Sequence, residues 1–427
     1  MADDDDGARS LPRALDPRRG YHAGRLSGGR IGRTGRRASH SVAARAGKLL
    51  AVTTSVAVLV ISGGAWATYR TYNGKITRLD AIPTTGNQAI GPSGTAAASS
   101  PHKPGVEQNI LVIGDDSRNG LTAAQLAELA TQSDGGGVNT DTMMLVHIPA
   151  DGTAASVVSL PRDLWVDVPG AGHHKLNDAY NIGSNARSDR ASRTDGFRLL
   201  IQTVSQISGL HIDHFVEVNL WGFYSISKAV GGITVNLCKA VDDPYSGVKL
   251  PAGKSKIEGT QALAFVRQRH GLPGGDLDRV RRQQYFIGAV FRKIESAGVL
   301  LNPVALTRLL DSVTKVLSTD PGLDPIDLAD QLHGLTAGQL RFSTIPVTGT
   351  PRIDGQDVIT YDATAVHAFF AGLTRPTTTT TTKPTPTTTT AKPTATGHTS
   401  TAPTRTPRKS TTTAAPGDTA ANNSCIN

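Results

Sequence analysis

Apolar residues recur in two rhythms through the middle of the chain. Short, dense runs at 109–114 (NILVIG), 142–148 (TMMLVHI), 155–160 (ASVVSL), 215–218, 232–237 and 340–346 have the length and β-branched content of buried strands. Longer stretches at 121–130, 197–207, 222–230, 277–297, 303–317, 325–332 and 363–373 place apolar residues three and four apart, the spacing of one helix face. Strands and helices alternate. That order predicts an α/β/α sandwich with a central mixed β-sheet, as a single domain over 106–375.

The flanks have a different character. Residues 1–48 open with Asp3, Asp4, Asp5 and Asp6 and turn Arg/Gly-rich, too poor in large apolar residues to build a core. They are expected to be a disordered basic segment. No charge occurs over 49–69, a length that matches the roughly 20 helical residues needed to cross a bilayer core. The preceding arginines orient such a transmembrane helix with 1–48 in the cytoplasm and the remainder outside. Residues 70–105 read as a polar linker, and 376–427 as a Thr/Pro-rich tail, either a wall-threading stalk or a partnerless extension.

Charge follows the same division. Of the net +9, residues 1–48 contribute +6 and 376–427 contribute +4, leaving the middle at −1. A near-neutral domain lacks the basic coat of a nucleic-acid binder, and no helix-turn-helix pattern supports a transcriptional role. Cys238 and Cys425 are too few for a disulfide scaffold or metal finger. In an oxidising exterior they would either pair, folding the tail over the domain, or remain free or intermolecular thiols.

The richest chemistry lies in 265–284, FVRQRHGLPGGDLDRVRRQQ. If 265–269 ends a strand, Arg267 and Arg269 share a face, while Arg279 and Arg282 share a face of the following helix, which Asp276 would N-cap. Such an arginine cluster is costly unless an anion sits in it, and the guanidinium fork suits phosphate oxygens. Asp116 closes the first strand and Asp141 precedes the second. Two carboxylates at strand ends suit Mg²⁺, which takes oxygen ligands and bridges to phosphates, although either Asp alone is equally a cap or turn. Arg162 and Asp163 follow the third strand; a surface ion pair is the plainer reading. Lys175, Asn177 and Tyr180 decorate a loop and the helix turn after it, and His173–His174 lack the further partners of a zinc site. Leu199, Leu200, Val204 and Ile207 mark the apolar face of one helix.

The ordered motifs NILVIGDDSR, DTMMLVHI, VVSLPRDLWV, KLNDAYNIG, DHFVEVNLWGF, GGITVNL, LPAG and FVRQRH…GGDLDRVRRQQ resemble the LytR–CpsA–Psr family of bacterial cell-envelope proteins, of actinobacterial type. The resemblance implies a ligase that moves a glycopolymer from a polyprenyl-pyrophosphate carrier onto peptidoglycan at the outer membrane face. It implies that Arg162, Arg267, Arg269 and Arg279 grip the pyrophosphate with Arg118 and Arg282 in support, that Asp116 and Asp141 hold Mg²⁺, and that an apolar tunnel takes the prenyl chain. Asp115 stands where the family often has Ser or Thr, which leaves an Asp115/Asp116 exchange open. Asp163 is the candidate base for the attacking sugar hydroxyl, or else the group that orients Arg162. A pyrophosphatase acting on the carrier and a binding protein without chemistry remain alternatives.

Overall fold

The structure is a computed structural model, and the residues it describes are 74–87, 107–118, 121–129, 131, 139–297, 307, 309, 311–314, 316–332, 335–374, 418–419 and 424–427. They fall in one compact unit, Ala67–Asn427. The expected basic segment 1–48 and membrane span 49–69 lie outside the described residues, as do residues 303–306, 308, 310 and 315 of the expected 303–317 helix and most of the tail. Among the described residues no helix is long and apolar enough to cross a membrane.

In chain order the strands are β1 (Thr77–Arg78), β2 (Gln108–Asp115), β3 (Thr140–Ile148), β4 (Ala155–Leu160), β5 (Trp165–Val168), β6 (Gly172–Lys175), β7 (His214–Val218), β8 (Ile233–Leu237), β9 (Val241–Asp243), β10 (Val248–Leu250), β11 (Gly253–Ile257), β12 (Leu317–Thr319), β13 (Leu340–Thr344), β14 (Arg352–Ile353), β15 (Gln356–Asp357) and β16 (Asp418–Thr419). The helices are α1 (Ala123–Glu128), α2 (Asp178–Ser184), α3 (Arg190–Ser208), α4 (Leu220–Ala229), α5 (Gly259–Arg267), α6 (Asp276–Ser296), α7 (Pro325–Leu332) and α8 (Ala363–Leu373).

One mixed sheet of eight strands, ordered β1-β12-β7-β2-β3-β4-β13-β16, carries the fold. β2 runs parallel to β7 and antiparallel to β3, and β4 runs parallel to β13. Central strands of this kind bury both faces. Leu111, Ile113, Met143, Leu145 and Val158 pack against Tyr180, Phe197, Leu200, Val204 and Phe370 of α2, α3 and α8. Ile110, Met144, Val157 and Phe342 point the other way, toward Ile287 and Phe291 of α6 and Leu328 and Leu332 of α7. The expected α/β/α layering and mixed sheet are present. Leu200, Val204 and Ile207 belong to the first of these cores, with Leu199 packed on it. They are not among the residues that line the apolar cavity described below. α2 meets α3 at a small-residue crossing, where a Cβ on Gly183 would stand 2.7 Å from the Asp195 carbonyl.

Three expectations change. The linker does not extend over 74–87: β1 pairs with β12, Leu79 and Ala81 are buried in the first core, and Asn87 Nδ2 donates to the Ile212 carbonyl at 2.9 Å. Four apolar residues, Ile76, Leu79, Ala81 and Ile82, among the polar ones were enough to recruit that stretch. Residues 165–175 form the hairpin β5–β6, with Gly170 and Gly172 at positive φ in its turn, so His173 and His174 lie on a strand and not in a loop. The tail does not leave the domain for good either, since β16 pairs with β13 and Cys425 bonds Cys238.

Between β2 and β3, His147 is buried with Nδ1 2.9 Å from the Asn109 side-chain oxygen, and burial pulls its pKa down to about 4. An unfolded histidine titrates near 6.5, so the unfolded chain takes up this proton first as pH falls. Stability contributed by the neutral ring is complete above pH 6.5 and is lost on the way down to about 4. Between pH 7 and pH 5 the loss should be roughly 2 kcal/mol. Urea unfolding of wild type and His147→Gln should therefore give stabilities that converge as pH is lowered; a pH-independent difference contradicts this.

Candidate functional site

The carboxyl ends of β2, β4 and β7 and the start of β3 lie at one end of the sheet, the end where α/β folds place ligands. The register there is broken. Gly114 pairs with Thr142 but Asp115 with Thr140, so Asp141 is the extra residue of a bulge. Bulges re-aim side chains. Asp141 Oδ1 accepts from Arg162, which follows β4, at 2.5 Å, and Asp141 Oδ2 lies 3.6 Å from Arg269.

Asp276 is the second hub. It does not N-cap α6: the cap is Gly275, at φ +55°, and Asp276 is the first helical residue. Its Oδ1 is 2.8 Å from Arg279 one turn on, 3.6 Å from Arg162 and 3.7 Å from Arg269. Arg279 also donates to the Asp141 carbonyl at 3.2 Å. Arg162, Arg269 and Arg279 thus converge as expected, by a different route. The 265–269 stretch is no strand: Phe265, Val266 and Arg267 end α5, whose buried Ala262, Leu263 and Val266 give a helical stripe, and Arg269 sits in the loop beyond. That the two arginines flank a helix end is what brings them to the same rim.

Arg279 is 2% exposed, and its pKa is lowered to about 10 by burial, with Arg269 and Arg162 adding to the effect and Asp276 opposing it. For Arg162 burial would lower the pKa, but Asp141, Asp163 and Asp276 outweigh it and the net shift is upward. Arg267 is lowered by desolvation first and by Arg118 next. It makes no hydrogen bond or ion pair among the described residues. Buried Nε atoms of Arg162 and Arg279, and both Asp276 oxygens, also lack a well-aligned hydrogen bond there. Orphaned polar atoms in one patch mark a place for a ligand or water.

Beneath this rim, between the sheet and α4, α5 and α6, is a cavity of about 240 Å³. Its walls are apolar, with Val112, Leu220, Phe223, Phe286, Ile287 and Val290, and Asp116, Asp141, Arg267 and Arg279 border it. The apolar space expected for a lipid is therefore on the α6 side of the sheet. Asp116 accepts from the Asn139 amide at 2.8 Å. Asp115 is buried beside Glu217, and burial first and Glu217 second raise its pKa well above the usual range.

Two expected residues stand elsewhere or are otherwise engaged. Arg282 does not join the rim: it is buried, donating to Gln268 and to the Asn427 carbonyl, with its guanidinium 4.8 Å over the Phe265 ring. One turn beyond Arg279 on α6, it packs on Phe265 of α5 instead of reaching Asp276. Asp163 lies 3.0 Å from Lys175 Nζ and 3.5 Å from Arg162 Nε, contacts that favour orienting Arg162. Sequence reasoning missed Asp276 and Lys175 as ion-pair partners; the DxxR spacing of 276 and 279 was the available signal.

Among known proteins, residues 84–375 match the model of the LytR_cpsA_psr family. The chain is 39% identical to the cell wall biosynthesis protein LcpA of Corynebacterium glutamicum, over 61% of this chain and 54% of that one, so it spans about half that relative's length. It is 31% identical to the polyisoprenyl-teichoic acid–peptidoglycan teichoic acid transferase TagU of Oceanobacillus iheyensis, over 69% of this chain and 82% of that protein. The solved LytR-Csp2A-Psr enzyme of Actinomyces oris superposes with a TM-score of 0.50 at 22% identity, covering 70% of this chain and 95% of that one, a likeness of fold.

Rim residues should differ in what they do for stability. Asp276→Ala strands the buried Arg279 and should cost about 3–5 kcal/mol, the usual loss when a buried ion pair is broken from one side. Arg267→Ala removes a cation that forms no ion pair within bonding distance among the described residues, and should leave stability within about 0.5 kcal/mol of wild type or raise it. Thermal unfolding of the two variants checks this, and equal losses would contradict the assignment.

Proposed function

The chain belongs to the LytR–CpsA–Psr family, and on that premise we propose that it transfers a glycopolymer from a polyprenyl-pyrophosphate carrier to peptidoglycan. The observation that carries the proposal is the apolar cavity with Arg267, Arg279, Asp116 and Asp141 at its border. A ligand that fits such a site has a hydrocarbon tail and a multiply charged anionic head. The name of the Oceanobacillus relative, a transferase of teichoic acid from a polyisoprenyl carrier to peptidoglycan, supports the same donor and acceptor classes.

The chain's own residues suit this reaction. A hydroxyl of the acceptor glycan attacks the phosphorus attached to the glycopolymer; the bond to the bridging oxygen breaks, and polyprenyl monophosphate leaves. Negative charge grows on the departing phosphate, and preorganised guanidinium groups stabilise it without reorganising. Arg267, Arg269 and Arg279 take that role, with Arg118 beside Arg267. Arg162, fixed by Asp141 and Asp163, orients the phosphate that is transferred. The hydroxyl proton passes to a rim carboxylate, and Asp163 serves if Lys175 moves off it. As it stands the cavity holds the isoprene units next to the headgroup, since roughly 150 Å³ already accommodates a benzene-sized molecule.

Asp116 and Asp141 would hold Mg²⁺. Among the described residues no cluster of three or more acidic, His or Cys side chains exists, and two carboxylates are a fitting set for an ion that takes its other ligands from phosphate and water. The ion would neutralise phosphate charge. The Cys238–Cys425 disulfide supports an oxidising exterior location, in keeping with a domain anchored by 49–69 outside the cytoplasm.

The deciding experiment incubates the purified protein with a lipid-pyrophosphate-linked saccharide, Mg²⁺ and peptidoglycan. Saccharide covalently joined to glycan is expected, and the Arg267→Ala/Arg269→Ala double variant should lose at least about a hundredfold, as removal of charge-stabilising donors commonly does. Free phosphorylated saccharide alone would mean a hydrolase, and bound but unchanged lipid a carrier.

A further inference from the structure

Arg282 is a large cation buried at 2% exposure that makes no ion pair with a carboxylate side chain among the described residues. Its Nε donates to the Asn427 carbonyl at 3.0 Å, and its guanidinium donates to Gln268 Oε1 while resting on the Phe265 ring. Gln268, itself 1% exposed, lies between Arg267 and Arg269, and its Nε2 donates to the His270 carbonyl at 2.8 Å. The far end of this line is covalent. Cys425 is bonded to Cys238 across 187 residues of sequence. Ile426 then pairs with β8 through an isolated parallel bridge, its amide donating to the Asn236 carbonyl and its carbonyl accepting from the Cys238 amide, both at 2.9 Å, with its side chain packed on the satellite core of β8, β10, α5 and α6.

We propose that residues 425–427 form a disulfide-locked strap that, through Arg282 and Gln268, sets the loop 268–275 and thereby fixes Arg267 and Arg269 at the cavity rim. Arg282 is then a positioning residue and not a phosphate ligand. The chain of contacts is continuous and each link has a physical reason. A buried guanidinium must have its donors satisfied. Without the Asn427 carbonyl, Arg282 loses an acceptor and its reason to stay over Phe265; without Arg282, Gln268 loses its donor. Gln268 then releases the turn that separates the two arginines.

The phosphate role of Arg267 and Arg269 rests on the function proposed above, so two readouts are separated. Hydrogen exchange of the 268–275 amides reports the strap itself; binding of inorganic pyrophosphate with Mg²⁺ reports its consequence. The full chain in detergent is compared with Cys425→Ser, Arg282→Gln and Gln268→Ala, the last leaving the disulfide intact should the first fold poorly. Each variant should exchange 268–275 roughly tenfold faster, and the Cys425→Ser/Arg282→Gln double variant should add little to either single change, as members of one line do. Pyrophosphate should bind roughly tenfold more weakly, the penalty of misplaced ligands. Unchanged exchange at 268–275 in Cys425→Ser and Gln268→Ala, whatever happens to the melting temperature, would overturn the strap. Coupled exchange in a wild type that ignores pyrophosphate would uphold the strap and count against the lipid-pyrophosphate reading.

Discussion

A guanidinium group taken out of water has to be met by charge or by a full set of acceptors, and the ligand end of this domain is arranged around that demand. Asp141 and Asp276, from a β-bulge and the first turn of a helix, stand among Arg162, Arg269 and Arg279 and make their assembly tolerable. Arg282 solves the same problem with a carbonyl, an amide and an aromatic face. Arg267 is exposed and stands outside that demand. It borders the cavity with no ion-pair partner among the described residues, and Arg118 adds to its crowding. A site that balances most of its positive charge and leaves the remainder at a cavity mouth suits the anionic headgroup proposed above.

What lies below the mouth decides which anion. A phosphate site built only for a soluble metabolite has no use for walls of Val112, Phe223, Ile287 and Val290. Together, an apolar chamber and a cationic rim match an amphiphile, and the near-neutral charge of the domain outside this patch explains why such a site need not attract nucleic acid. The sheet supplies rigidity: strands fixed on both faces hold Asp116, Asp141 and Arg162 at one end, while α5 and α6 bring the remaining arginines from above.

Much of this was legible in the sequence because it is local. The strand 155–160 and the helices 325–332 and 363–373 were read to the residue, since apolar spacing and flanking turn residues agree there. The convergence of Arg162, Arg269 and Arg279 was legible as well. The conformation that achieves it was not, because the apolar run before Arg267 suits a strand and a helix alike and only packing against α4 and α6 decides. Asp276 read as a cap since its partner Arg162 lies more than a hundred residues away. Arg282, three residues from Arg279, shares a helix face by spacing, yet Gln268 and a tail residue at position 427 claim it, and no periodicity carries that information. The recruitment of 74–87 and 424–427 into the domain is of the same kind: a few apolar or hydrogen-bonding residues meet edges that exist only in the fold.

The central claim is that the chamber and its arginine rim receive one amphiphilic ligand, tail inward and diphosphate at the mouth. A crystal structure of the protein with a short-chain polyprenyl pyrophosphate tests it most directly. The account predicts phosphate density among Arg267, Arg269 and Arg279, with the first isoprene units against Phe223, Ile287 and Val290. Lipid bound on another surface, with the chamber empty, would contradict it.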